Sequence, residues 1–345
     1  MSKKNILDFS YEELMAYMTE ELDVKKFRVD QIVDWIYDKH VFEFQEMSNL
    51  SKDFRDFMDE KFFVGIPEPI DIKTSKIDKT TKFLWELRDG NTVESVALFY
   101  PKRVSACIST QVGCALKCAF CATGASGFTR DLTPGEIIAQ VLAMEKIKNI
   151  RINNIVYMGM GEPLLNYENT IKSVKMLNDK RLKNLGGRHI TISTSGIVPR
   201  IEELAEIPIE IRLSVSLHAP TNIQRDKIMP INHKYPVEEL IQACKNYQKI
   251  TNKRVTFEYT AIKGFNDSED DARNLAALIS DLKVMVNVIP VNDNPAGFEK
   301  PSKRFLDTFA RILINKGIDV TIRAEKGSDI EAACGQLKKR FIEKQ

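Results

Sequence analysis

From Ser10 to about Phe63, apolar residues recur at helical spacing. Ser10-Tyr11-Glu12-Glu13 has the form of a capping box, and Leu14, Met15, Met18 and Leu22 follow on one face. Residues 27–37 and the segment carrying Leu50, Phe54, Phe57 and Met58 repeat the pattern, so the chain should open with a small bundle of amphipathic helices. After Pro67 and Pro69 the period falls to two. Segments 83–88 and 92–98, joined through Asp89-Gly90, predict a β-hairpin. On spacing alone Glu94, a carboxylate among apolar neighbours, reads as a residue of the exposed face. From Val104 onward strands and helices alternate. Strands are predicted at 104–110, 154–158, 189–193, 211–216, 255–261, 284–291 and 319–323. The helices between them include one opened by a second capping box, Thr133-Pro134-Gly135-Glu136, with proline at its first position, and others at 167–177, 237–251, 268–282 and 303–316.

Six βα units and a final strand place the chain in the α/β class, as a partial (β/α)6 barrel of the TIM type, open enough at the side for a macromolecular substrate. Residues 1–65 would form a helical accessory domain, 66–103 a linking β-hairpin, and 104–345 the core with a C-terminal extension. The accessory bundle suits either a cap over the core or an RNA-binding face, and Lys25, Lys26 and Arg28 are too few to decide between them. Of 345 residues, 43% are hydrophobic, enough for one large core. No stretch approaches a membrane span, and Met1-Ser2-Lys3-Lys4 runs into polar sequence without an apolar signal region, which points to the cytoplasm. The net charge of +2 carries no global nucleic-acid signature, so any RNA contact must come from local patches. Six cysteines without a secretory signal argue for reduced thiols doing chemistry.

Three of those thiols stand in Cys114-Ala115-Leu116-Lys117-Cys118-Ala119-Phe120-Cys121. Structural zinc would need a fourth ligand, and the nearest candidates, His189 and Cys107, make no second ligand pair. A [4Fe-4S] cluster on three cysteines instead leaves one iron free for a small molecule. The spacing, with an aromatic before the last cysteine, is similar to the radical S-adenosylmethionine (radical SAM) signature, in which that iron chelates SAM; zinc and a redox dithiol are the competing readings. The other unusual residues fall at the carboxyl ends of the predicted strands, where barrel chemistry gathers. Gly159-Met160-Gly161-Glu162-Pro163 follows the second strand, Ser193-Thr194-Ser195-Gly196 ends the third, Ser216-Leu217-His218 ends the fourth, Asn292 ends the sixth, and Cys334 lies past the last. A single histidine is more often structural than functional and a Gly-x-Gly turn is common; placement on one rim raises them together. The glycines, Gly161 among them, would let backbone approach the methionine moiety. Glu162 would accept from its ammonium, and the serine hydroxyls and Asn292 would bond carboxylate or ribose.

From Phe27-Arg28 to Leu337 the chain resembles the RlmN family of radical SAM RNA methyltransferases. The resemblance is carried by residues 27–37, Ile108-Ser109-Thr110-Gln111-Val112-Gly113-Cys114, Gly159-Met160-Gly161-Glu162-Pro163-Leu164-Leu165-Asn166, Ser216-Leu217-His218-Ala219-Pro220, Met229-Pro230-Ile231-Asn232 and the very specific Gly327-Ser328-Asp329-Ile330-Glu331-Ala332-Ala333-Cys334-Gly335-Gln336-Leu337. It implies methylation of adenosine C2 in the peptidyl-transferase loop of 23S rRNA and in tRNA, 3′ of the anticodon. It implies a cluster on Cys114, Cys118 and Cys121, two SAM per turnover, and SAM contacts from Gly161, Glu162, Ser193, Ser216, Leu217, His218 and Asn292. It makes Cys334 the methyl carrier, Cys107 the resolving thiol and Glu94 a proton acceptor, the last against the spacing-only reading. In the implied sequence one SAM methylates Cys334, a second yields a radical that takes hydrogen from the S-methyl group, and the resulting carbon adds to the adenine ring. A base then removes the C2 proton and Cys107 attacks the Cys334 sulfur, forming a disulfide. An external donor such as flavodoxin or ferredoxin would supply electrons to a monomer. The near rival is the related C8 methyltransferase of antibiotic resistance, which commonly has Ala where this chain has Pro163 and a bulkier residue at Ser195; the far rival is a zinc-stabilised RNA-binding protein. Cys244, on an amphipathic helix, reads as core.

Overall fold

The computed structural model describes residues 3–292 and 294–338. Strand β1 (Lys4–Asn5) opens the chain, and α1 (Tyr11–Ala16), α2 (Lys26–Tyr37) and α3 (Lys52–Lys61) form the bundle before β2 (Phe62–Phe63) returns to pair in parallel with β1. The Ser10 capping box forms: Ser10 Oγ accepts from Glu13 N at 3.2 Å and Glu13 Oε2 accepts from Ser10 N at 2.8 Å. Leu14, Met18, Val29, Ile32, Ile36 and Met58 are buried, and they belong to the same apolar core as the strands that follow. The bundle is thus packed onto the body rather than tethered to it. A polar contact reinforces the seam, where the buried Glu145 carboxylate accepts from Lys183 Nζ at 2.7 Å and from Ile152 N at 2.6 Å and meets His40 Nε2 at 3.0 Å.

The body is one ten-stranded sheet. Its antiparallel edge consists of β3 (Glu68–Thr74), β4 (Thr81–Glu86) and β5 (Thr92–Tyr100), which pairs with β6 (Arg103–Cys107). A small separate hairpin of β7 (Gln111–Gly113) and β8 (Phe128–Asp131) encloses α4 (Ala122–Ala125). Then βα units follow in register: α5 (Pro134–Lys148), β9 (Asn154–Tyr157), α6 (Tyr167–Asn178), β10 (Ile190–Thr194), α7 (Val198–Ala205), β11 (Arg212–Ser216), α8 (Asn222–Ile228), α9 (Val237–Thr251), β12 (Val255–Ala261), α10 (Glu269–Leu278), β13 (Val284–Pro290), α11 (Lys303–Asn315) and β14 (Asp319–Ile322). Strands β6, β9, β10, β11, β12, β13 and β14 are parallel neighbours in that order, as the alternating pattern predicts. Their inner positions, such as Ile192, Val215, Phe257, Val286 and Val288, are fully buried, as a sheet covered on both faces requires. Among the described residues the ladder ends at β14 on one side and β3 on the other, giving an open, partial barrel.

Two features differ from expectation. The predicted hairpin forms around Gly90 (φ +79°), but it gains a third strand, β3, and continues the barrel sheet through the β5–β6 pairing instead of linking two parts. Helices α7 and α8 were not predicted, since at eight and seven residues they are too short for a 3.6-residue period to declare itself. Among the described residues no helix is long and apolar enough to cross a membrane.

Candidate active site

Past the end of β6 the chain runs through β7 into the three-cysteine loop. Gly113 makes the turn possible: its φ is +79°, and a Cβ there would lie 1.7 Å from the Gly127 carbonyl, which also accepts from Cys114 N at 2.9 Å. Lys117, at φ +53°, turns the chain back, Cys121 caps α4, and Ala119 N donates to the Ile228 carbonyl at 2.9 Å. Cys114, Cys118 and Cys121 line one cavity, together with the inward-facing Leu116 and Phe120. Burial pushes the Cys114 thiol up to about 12 and the Cys118 thiol higher still. Bound metal is what turns such desolvated thiols into thiolates, and three soft sulfurs suit iron and sulfide. Among the described residues no three His, Cys, Asp or Glu side chains are grouped as a metal-ion site. His189 is exposed and pairs with Asn154 at 3.2 Å, outside that cavity.

The opposite wall is the rim predicted from the strand ends. Gly161 (φ +100°) lies so close to Gln111 that a Cβ would fall 2.5 Å from the Gln111 Cβ, and Gln111 Oε1 accepts from Glu162 N at 2.8 Å. Glu162 is 3% exposed. Its carboxylate accepts from Ser195 N at 2.7 Å, Ser195 Oγ at 2.8 Å and Leu164 N at 3.0 Å. Burial pushes its pKa up on balance, and these donors, which favour the anion, oppose the shift. His218, with φ +58°, is also buried. Burial pushes its pKa down to about 3, and its Nδ1 accepts from Thr260 N at 2.9 Å, which leaves Nε2–H as the donor of a neutral ring. Ser193, Ser216 and Asn292 line the same cavity, whereas the Leu217 side chain lies in the apolar core and only its backbone belongs to the rim.

Cys334 borders this cavity and a second one, which Cys107 lines with Val96, Met158 and Arg323. Burial and the nearby Cys334 push the Cys107 thiol up to about 12, against the pull of Arg323 and the Met158 N–H. Hydrogen bonds fasten the Cys334 segment along its length. Lys76 N donates to Asp329 Oδ2 at 3.0 Å, Lys82 Nζ to the Glu331 carbonyl at 2.9 Å, and Asn292 Nδ2 to the Cys334 carbonyl at 3.1 Å. Ala122 N donates to the Gly335 carbonyl at 2.7 Å, Thr123 Oγ1 to the Leu337 carbonyl at 2.5 Å, and Lys338 N to Glu94 Oε2 at 3.0 Å. Glu94 is fully buried, not on an exposed face, because the hairpin is covered by this segment. Its Oε1 is 3.5 Å from Lys82 Nζ, and it stands one step beyond Val96, the cross-strand partner of Cys107, on the same face.

The radical SAM superfamily model matches residues 108–276, and the model of the ribosomal RNA large subunit methyltransferase N-terminal domain matches residues 4–64. A probable dual-specificity RNA methyltransferase RlmN of Petrotoga mobilis is 61% identical over 342 residues, 99% of each chain. The protein of the same description from Thermotoga maritima is 56% identical over 339 residues, 98% of each chain. The chain belongs to the RlmN family. The crystal structure of a radical SAM methyltransferase from Sphaerobacter thermophilus shares this RlmN architecture at a TM-score of 0.94 and 41% identity, covering 97% of this chain and 99% of that one. As an RlmN-family member the chain is a SAM-dependent methyltransferase of the radical SAM superfamily, which brings with it a [4Fe-4S] cluster and SAM.

Several residues of this RlmN site escape sequence reasoning. Arg225 is fully buried and reaches four acceptors: the Leu217, Ser195 and Ser216 carbonyls at 3.1, 2.6 and 3.2 Å, and Asn232 Oδ1 at 2.9 Å. It ties two rim loops to the Met229-Pro230-Ile231-Asn232 motif. Burial lowers its pKa to about 10, yet it stays charged at neutral pH. Glu258, buried on β12, accepts from Ser214 Oγ and Asn287 Nδ2, both at 2.7 Å, and lines the cavity floor. For Glu258 the one available signal was a charged residue inside a mostly apolar strand; Arg225, among Gln224, Asp226 and Lys227, gave none.

Proposed function

We propose that this chain methylates C2 of adenosine in 23S rRNA and in tRNA, at the adenosine 3′ of the anticodon, through a methylcysteine carrier and a covalent protein–RNA intermediate. The observation that carries the reading is the position of Cys334, on the border between the cavity of the three cluster cysteines and the pocket of Cys107. A carrier must visit a methyl source and then a resolving thiol, and this one faces both. Cys114, Cys118 and Cys121 would hold the cluster, and Glu162 would hold the ammonium of SAM with Gly161, Ser193, Ser216, His218 and Asn292 around it. Cluster and SAM together would supply a methyl group, from a first SAM, a hydrogen-abstracting radical, from a second, and, in the oxidised cluster, an acceptor for the one electron that the ring adduct must lose.

The chain's own residues then divide the remaining work. Cys334 carries the one-carbon unit to the base. Glu94 acts as proton acceptor for the C2 proton, with Lys82 beside it to balance the charge. Cys107 attacks the Cys334 sulfur: an S–S bond forms, the S–CH2 bond breaks, and its electron pair stays on the carbon, which takes a proton to become the methyl group. The disulfide is reopened by an external dithiol reductant. Residues 1–65 serve as the RNA-binding accessory domain, residues 66–103 as the strands that hold the carrier segment, and 104–345 as the core. The protein works as a cytoplasmic monomer fed by a flavodoxin or ferredoxin. Pro163 and Ser195 support C2 over C8, and the relatives' description as dual-specificity RNA methyltransferases supports both RNA classes.

The test separates the two thiols. Cys107→Ala, incubated anaerobically with SAM, reductant and an RNA fragment, should accumulate a protein–RNA adduct that survives denaturation and is removed by nuclease. Cys334→Ala should form none. Normal turnover by Cys107→Ala, or trapping by Cys334→Ala, would overturn the assignment.

A further inference from the structure

Arg323 follows the last barrel strand, and its backbone N donates to the Val288 carbonyl at 2.8 Å. Its side chain lines both cavities, the one with the cluster cysteines and the one with Cys107, and Cys334 is the one cysteine that shares both with it. Among the described residues the guanidinium makes no ion pair and no side-chain hydrogen bond; what surrounds it acts on it only through charge, Cys334 first, then Glu258, Tyr100 and Cys107. A guanidinium offers five donors and is costly to enclose without an anion. The other charged groups nearby are committed elsewhere. Glu258 is held by Ser214 and Asn287, and Lys326 turns to Asp78, the Phe99 carbonyl and the Tyr100 ring. Glu325 pairs with Lys300 at 3.1 Å. Besides Glu258, the groups that can become anions beside Arg323 are Tyr100 and the two sulfurs, and of all these Cys334 acts on it most strongly.

We propose that Arg323 is a positioning residue for the two-cysteine chemistry, its guanidinium drawing the Cys334 and Cys107 sulfurs, as thiolates, to the face they share. This rests on the reading of those two cysteines as the reactive pair. Each has to be a thiolate once: Cys334 to accept the methyl group, Cys107 to attack sulfur. Burial makes the Cys107 side of this pocket hostile to an anion, and Arg323, half-buried, is a permanent cation in the wall that Cys107 and Cys334 share. A lysine there would keep the charge and lose the planar fork.

The experiment measures thiol reactivity directly. Wild type, Arg323→Lys and Arg323→Met, as reduced, cluster-reconstituted protein, are alkylated with iodoacetamide at pH 8 without oxygen. Initial rates at Cys334 and Cys107 are read by mass spectrometry of their peptides, counting only unmethylated Cys334. A neighbouring charge moves a thiol by roughly 1–3 pKa units, and about half of that returns as nucleophilicity. Cys107 should therefore react about three- to thirtyfold more slowly in Arg323→Met, with Cys334 slowed in the same direction, and both within about twofold of wild type in Arg323→Lys. Equal rates in wild type and Arg323→Met would overturn the proposal, as would equal slowing in the Met and Lys variants. If Arg323→Met loses its iron, Arg323→Gln carries the same expectation; loss of iron in both, with Arg323→Lys intact, would make Arg323 structural and also overturn it. Alkylation requires no RNA. Slow alkylation in Arg323→Met together with no trapped adduct in Cys107→Ala would sink the carrier reading while leaving the Arg323–thiolate interaction itself intact, so the two failures are distinguishable.

Discussion

Replacing Arg225 by Met should damage the SAM site from behind, without changing the identity of any residue proposed to contact the cofactor. The side chain is fully buried and its four hydrogen bonds reach the Ser195, Ser216 and Leu217 carbonyls and Asn232 Oδ1. Methionine fills similar volume and removes a buried charge whose desolvation already opposes folding, as its lowered pKa shows. It also strands four acceptors, each costing about 1–3 kcal/mol when left unsatisfied in the interior. The net loss should be about 4 kcal/mol, within the range for breaking one side of a buried charged network. With an unfolding entropy of about 2.1 cal/mol/K per residue, a chain of 345 residues should lose about 5 °C in Tm. Function should suffer separately. Ser195 holds the Glu162 carboxylate through its N–H and its hydroxyl, and it is itself held by Arg225. Losing one such charge-assisted bond is worth about 1.4 kcal/mol, or tenfold in SAM affinity. Calorimetric titration of SAM into reconstituted Arg225→Met, with iron content and melting temperature on the same sample, checks both figures. A melting temperature within 1 °C of wild type, or SAM affinity unchanged in a destabilised variant, would refute the chain of support from Arg225 through Ser195 to Glu162.

Cys118→Ala removes one of three thiolates and should abolish cluster and activity while far-UV circular dichroism stays native; SAM cleavage by the reconstituted variant would contradict the cluster assignment. Glu162→Gln exchanges an anion for a neutral amide and should weaken SAM binding about tenfold or more, with iron content unchanged. Unaltered affinity would return Glu162 to a purely structural role. His218 is held neutral in the fold at a pKa of about 3, against 6.5 in the unfolded chain. Its contribution to stability is therefore complete above pH 6.5 and falls as the pH drops toward 3, because only the unfolded chain takes up the proton. His218→Asn, suited to the left-handed backbone there, lacks that dependence, so urea unfolding at pH 7 and 5.5 should show wild type losing about 1 kcal/mol relative to the variant. An unchanged difference would mean that His218 is not buried as described.

The parallel barrel was legible because its strands are long apolar runs separated by capped helices, and Thr133-Pro134-Gly135-Glu136 forms the box its spelling announces: Glu136 N donates to Thr133 Oγ1 at 3.2 Å and Thr133 N to Glu136 Oε2 at 3.0 Å. The rim was legible because strand ends are where a barrel presents its groups. What escaped depends on contacts far apart in sequence. Glu94 reads as exposed from its own strand, and only a segment more than two hundred residues later, at Lys338, covers it. Strand β3 carries mostly exposed side chains, so its period gave no sign, and its pairing with β4 is what defines it. Arg225 and Arg323 look like surface charges until their surroundings are known.

Hydrogen bonds to six partner residues fasten the stretch from Asp329 to Lys338 among the described residues, and two of them lead to Ala122 and Thr123, directly behind Cys121. This bears on protein engineering. A Cys334 loop transplanted from a relative will not sit in this barrel as a self-contained cassette, since its backbone is fitted to Thr123 on one side and to Lys82 and Glu94 on the other. Chimeras that exchange the tail alone should be inferior to chimeras that carry the hairpin and the cluster loop along with it, even where every cysteine is retained.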